Sequence, residues 1–140
     1  MGDYSNSSQV SFMRFNTDGS IDSSFAIDGK KFFDNGHLNG EPTIASLEGN
    51  KVLCAYYYYG NLDTNIYLNF SRLLSDGNID SSFGGSGTIT YLVHFFYRDF
   101  FLQKDHKILA YGARFSPDFA EFFESMKMVL LIQLMEMEDT

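Results

Sequence analysis

The twelve residues Arg14-Phe15-Asn16-Thr17-Asp18-Gly19-Ser20-Ile21-Asp22-Ser23-Ser24-Phe25 return 58 positions later as Arg72-Leu73-Leu74-Ser75-Asp76-Gly77-Asn78-Ile79-Asp80-Ser81-Ser82-Phe83, identical at eight of twelve positions. The same offset pairs Val10 with Leu68, Phe12 with Phe70, Gly29 with Gly87 and Phe33 with Tyr91, so a structural unit repeats and not a short motif. A unit of this size buries its apolar face only against a neighbour of its own kind, which makes stacked or radially arranged units the expected architecture.

Within each unit the apolar residues alternate. Val10, Phe12 and Arg14 point one way, and Ile66, Leu68 and Phe70 alternate with Tyr67, Asn69 and Ser71. Period two predicts strands. The alternation stops at Asp18-Gly19 and Asp76-Gly77, where Asp-Gly supplies the positive backbone angles of a tight hairpin. Gly29 and Gly87 follow, and then the short runs Lys30 to Asp34 and Thr88 to Leu92, predicted as return strands.

A weaker repeat lies between. Leu47 to Leu53 matches Leu102 to Leu109, each a polar turn between two apolar runs, which predicts another hairpin. The full period is then four antiparallel strands: one before the polar turn, one from Lys51 to about Tyr58, one from Ile66 to Leu73, and one after the glycine link. Four antiparallel strands per unit is the make-up of a propeller blade.

The expected fold is all-β, with antiparallel β-propeller-like blades, about two repeats and an incomplete ring. A single repeat domain spans residues 1–140, with units at about 8–65 and 66–125 and a degenerate third copy at 126–140. Ser116-Pro117-Asp118 carries helix-start signals, so residues 117–125 read as either a short helix or a loop. Met126 to Leu134 reads as a strand or as a continuation of that helix, and the strand is preferred because it occupies the place of Ile66 to Leu73, with Gln133-Leu134 where Arg72-Leu73 stood. Two blades and a fragment do not close a ring of at least four, so the chain is expected either to belong to a longer protein or to self-associate. In that reading the surplus strand from Met126 to Leu134 pairs with an edge strand of a partner copy.

Composition narrows the partners. Ten Lys and Arg against 18 Asp and Glu give a net charge of −8, which opposes a phosphate backbone, so nucleic acid is not expected. Protein partners, further blades or a second copy are. Cys54 has no second cysteine to bridge and lies in an apolar run, which predicts a packed, reduced thiol. Residues 1–8 have neither a basic start nor an apolar stretch, so no secretory signal is expected within this chain. Met126 to Met135 is about half the length of a membrane span, and no such span is expected.

The pattern R-x-N-x-D-G-S-[IL]-D-x-S-F-G, alternating with a D-G-K-[IL]-L-x-A-G segment, resembles the delta-60 repeat family. Arg14, Asn16, Asp18, Gly19, Ser20, Ile21, Asp22, Ser24 and Phe25 carry the first match. Arg72, Asp76, Gly77, Ile79, Asp80, Ser82, Phe83 and Gly84 carry the second, with Lys51 to Ala55 and Lys107 to Leu109 as the alternating segments. The resemblance runs from about Val10 to Tyr111. It implies β-propeller blades, commonly of large bacterial surface or secreted proteins, with no established catalytic activity for the repeat. The chain departs from the pattern where Ala26 replaces the glycine after Phe25, where Asn50 and His106 replace the glycine of the second turn, and throughout the third copy.

No residue cluster outranks a structural reading. Asn16-x-Asp18-Gly19-x-Ile21-Asp22 shares alternating oxygens with a calcium loop, but the first and twelfth ligand positions fall on Arg14 and Phe25, which excludes an EF-hand. His37, His94 and His106 share no zinc spacing with each other or with Cys54. The serines lack a nucleophile elbow, and Gly84 to Gly87 leads into a strand and not a helix. Catalytic residues, metal and cofactor are therefore expected to be none. Asp22 and Asp80 are expected to accept backbone hydrogen bonds at the corner, Arg14 and Arg72 to form an ion pair with a turn Asp, and Phe25 and Phe83 to be equivalent buried plugs. The runs Tyr56 to Tyr59, Phe95 to Tyr97 and Phe100-Phe101 should be half buried between sheets by strand alternation. A noncatalytic scaffold or interaction module is the expected function; a propeller hydrolase and a calcium-dependent adhesion module are the alternatives.

Overall fold

A computed structural model describes residues 10–33, 40–60, 65–105 and 107–113, and the backbone of 128–132. The strands fall into three antiparallel sheets. The first pairs β1 (Val10–Met13) with β2 (Lys30–Phe33). The second has four strands in chain order: β3 (Thr43–Ser46), β4 (Val52–Tyr59), β5 (Ile66–Leu73) and β6 (Thr88–Val93). The third joins β7 (Phe96–Leu102), β8 (Ile108–Ala113) and β9 (Met128–Ile132). The chain is all-β and forms an incomplete β-propeller-like arrangement; among the described residues the only helical turn is the short one at Glu48–Asn50.

The repeat extends to strand register. Val10 faces Phe33 and Met13 faces Lys30, just as Leu68 faces Tyr91 and Ser71 faces Thr88. The first sheet therefore holds the third and fourth strands of a blade, the second is a whole blade, and the third has the first three strands. The polar hairpins agree: Leu47 N–H donates to Lys51 O at 2.8 Å and Gln103 N–H to Lys107 O at 2.8 Å, which aligns Leu47 with Gln103 and not with Leu102.

Alternation within strands gives each sheet a front and a back. The front of the first sheet (Val10, Phe12, Phe33) and the corner residue Phe25 meet the back of the second (Cys54, Tyr56, Leu73) in one cluster. The front of the second (Leu53, Ala55, Leu68, Phe70), with Phe83, meets the back of the third (Tyr97, Phe100, Ile108, Ala110) in another. Apolar burial between sheets is the main favourable contribution, at about 1.5 to 3 kcal/mol per large side chain. The central strands of the middle sheet are covered on both sides, and every residue of β5 except Tyr67 is buried, while Ile44 on β3 and Leu92 on β6 stay exposed. Two of the buried polar side chains of β5 are satisfied within the sheet: Thr90 donates to Asn69 at 2.6 Å, and the Ser71 and Thr88 hydroxyls share a bond of 2.7 Å.

Four expectations change. The hairpin at Asp18-Gly19 has only glycine at positive φ (85°), and Gly19 N–H closes a turn onto Asn16 O at 3.0 Å. This is a type I turn followed by a left-handed residue, a common solution for loops longer than two residues, and Gly77 (φ 84°) repeats it. The strand near the C-terminus is not surplus, because β9 pairs with β8 in the same chain. Its register is also displaced: Ile132 faces Ile108 as Leu73 faces Val52, so Ile132, two residues before Leu134, takes the Leu73 position. The four tyrosines of β4 do not alternate in burial but grade from buried Tyr56 to exposed Tyr59, as the strand runs out from between its neighbours. The helix-or-loop segment 117–125, His37 and His106 lie outside the described residues.

Candidate functional site

Each Asp-Gly hairpin is followed by a corner in which the repeated polar residues bind one another. Arg14 Nε donates to Asp22 Oδ2 at 2.8 Å, and Ser24 donates to Asp22 Oδ1 through its amide at 3.0 Å and its hydroxyl at 2.5 Å. The second corner repeats this: Arg72 Nε to Asp80 Oδ2 at 2.8 Å, Ser82 N–H to Asp80 Oδ1 at 3.2 Å and Ser82 Oγ at 2.6 Å. The guanidinium groups lie over the rings of Phe25 and Phe83, 4.6 Å and 5.0 Å from the centroids. Both plugs are buried. Charge-assisted bonds and cation–π contact thus tie Arg, Asp, Ser and Phe into one rigid corner.

The two corners differ in surroundings. Arg14 and Asp22 keep side-chain exposures of 35% and 22%, whereas Arg72 and Asp80 keep 7% and 6%. Lys51, beside β4, adds its ammonium to Asp80 at 3.3 Å. Burial works to raise the Asp80 carboxyl, but the Ser82 hydroxyl and amide, the Arg72 charge and Lys51 outweigh it and hold the carboxyl at about 2. The Ser24 hydroxyl, opposed by slight desolvation and aided by the Ser24 amide and Arg14, holds Asp22 below the usual carboxylate range. Asp18 and Asp76 are lowered chiefly by Ser20 and Asn78, whose amides donate to them at 2.9 Å in each case. These carboxylates are fixed anions near neutral pH, without the raised value a general acid needs.

The first corner also grips the second hairpin. Arg14 Nη1 donates to Ser75 O, and Ala26 N–H donates to Asp76 O at 2.6 Å. Gly77 is buried there, and a Cβ on it would lie 2.8 Å from the Phe25 ring and 2.9 Å from the Ala26 Cβ. Ala26 itself sits at φ 48°, in the place where the second copy has Gly84 at φ 60°. Sequence reading placed Asp76 and Gly77 in a turn but not in this contact, nor Lys51 at Asp80. The signal that was present is the spacing of a glycine, a phenylalanine and an arginine held at one offset in both copies. Ile21 and Ile79 occupy matching bridges, Phe15 to Ile21 and Leu73 to Ile79.

Elsewhere, Cys54 is a buried free thiol whose surroundings push it up to about 12, against a weak opposing pull from Lys31, so it is inert near neutral pH. Among the described residues, no three His, Cys, Asp or Glu side chains come together as a metal site, and no helix is long and apolar enough to cross a membrane.

Residues 1–25 match a family model described as a domain of unknown function (DUF5122) beta-propeller. The match includes β1, the first hairpin and the first plug, and it supports a β-propeller repeat. No curated protein and no solved structure matches the chain.

Proposed function

We propose that the chain is a noncatalytic β-propeller repeat module, of the delta-60 kind, whose role is to present sheet surfaces to other proteins or blades. The observation that carries this reading is the use of the repeated polar residues. Arg14, Asp22 and Ser24 bind one another, and Arg14 also holds the second hairpin, so the repeated polar residues are engaged in fixing the corner and, in the first copy, in joining it to the next blade. A carboxylate such as Asp80, held at about 2 by the Ser82 hydroxyl and amide, Arg72 and Lys51, has neither a proton to give nor a free lone pair suited to taking one.

The test is a panel of ester, peptide, glycoside and phosphoester substrates, run beside Asp22→Asn and Asp80→Asn. No turnover above background is expected. Turnover lost in one variant with an unchanged circular dichroism spectrum would establish a propeller hydrolase instead. Calorimetry with calcium separates the adhesion alternative: tight binding abolished by Asp18→Ala and Asp76→Ala would support it.

A further inference from the structure

Among the described residues, both apolar clusters between sheets are front to back: first front on second back, second front on third back. One back and one front remain. The back of the first sheet carries Met13, Phe15, Ile21 and Phe32, exposed at 46%, 55%, 44% and 52%. Strand pairing puts them on one face, since Ser11 faces Phe32, Met13 faces Lys30 and Phe15 bridges Ile21. Three of their four equivalents in the second sheet show what the central part of this face does when covered: Ser71 and Leu73 are fully buried and Ile79 packs against Phe25 and its neighbours, while Thr90, in the place of Phe32, stays exposed. The front of the third sheet carries Phe101, exposed at 56% and stacked on Tyr111 with centroids 5.7 Å apart, beside half-buried Leu109.

We infer that the exposed back of the first sheet binds the exposed front of the third sheet in a second copy of this chain. Charge favours this orientation. Lys30 shares its face with Met13, and Asp99 shares its face with Tyr111, so one surface brings a cation and the other an anion to an apolar centre. The contact is heterologous, head to tail, and continues the stacking already present within each copy. It joins faces and leaves the strand edges out. As a use of the module it rests on the noncatalytic reading, but sedimentation tests the contact and turnover tests that reading, so either fails without the other.

Sedimentation equilibrium on the full chain tests it, with Phe15→Asp and Phe101→Asp as the variants. The wild type should gain mass with concentration, and each variant alone should associate at least about tenfold more weakly, as expected for an aromatic at an interface centre. An equimolar mixture of the two should recover a dimer and nothing larger, because one intact back and one intact front remain. A wild type that stays monomeric overturns the inference. So does association lost in Phe15→Asp but kept in Phe101→Asp, which means back-to-back packing, and association kept in both, which means strand pairing. Should either variant not fold, Lys30→Glu and Asp99→Lys replace them, each weakening association and the mixture restoring it.

Discussion

The corners at Asp22 and Asp80 have nearly the same sequence and the same hydrogen bonds, yet one is solvated and the other is buried. The cause is the neighbouring strand. In the second sheet β4 runs beside β5 and brings Lys51 to Asp80; β1 has only β2 beside it among the described strands. A repeated sequence thus specifies local geometry, and the number of strands laid beside it sets how much each interaction is worth. The hairpins show the same contrast: nothing lies within 4 Å of a Cβ placed on Gly19, while Phe25 and Ala26 press on Gly77.

The plugs are the exception to this asymmetry, since both are buried, and they should give the largest and most equal effects. Phe25→Ala and Phe83→Ala are each expected to lose about 3 to 5 kcal/mol in chemical denaturation. A much smaller loss at Phe25 would show that the first corner is not a true copy of the second. Next, Arg72→Met should cost about 3 kcal/mol, because it strands a buried carboxylate, whereas Arg14→Met should cost about 1 kcal/mol. Equal costs would remove burial as the difference between the corners.

Substituting the hairpin glycines sharpens the comparison. Asparagine tolerates a left-handed backbone, so Gly19→Asn should cost less than about 1 kcal/mol, while Gly77→Asn should cost about 2 kcal/mol from overpacking against Phe25. Thermal melts of the pair decide it, and equal shifts would deny the contact.

Acid titration follows. The folded Asp80 carboxyl, at about 2, lies below the ordinary carboxyl value of 3.8. Its contribution is therefore complete above the unfolded value and is lost as pH falls from about 4 through about 2, on the order of 2 kcal/mol. Asp80→Asn should flatten this part of the stability curve more than Asp22→Asn does, as read by urea unfolding at several pH values. The smallest effect belongs to Ala26. At φ 48° it carries a strain that glycine lacks, so Ala26→Gly should stabilise by up to about 1 kcal/mol, and a loss of stability would mean that the methyl packing against the second hairpin outweighs the backbone strain.

Much of this fold was legible in the residues. The 58-residue offset, the period-two alternation and the Asp-Gly turns determined strands, hairpins and the four-strand period, because side-chain direction and turn angles are local properties of a chain. The Arg-Asp-Ser-Phe corner was local too: its partners lie within eleven residues of one another, from Arg14 to Phe25. Tertiary structure alone decided which copy of the corner is buried, that Gly77 receives Phe25, that β9 pairs at Ile132, and that β5 hides both its faces. Those depend on which sheet lies against which, and a sequence in which two copies look alike carries no mark of the strand that will come to rest beside one of them.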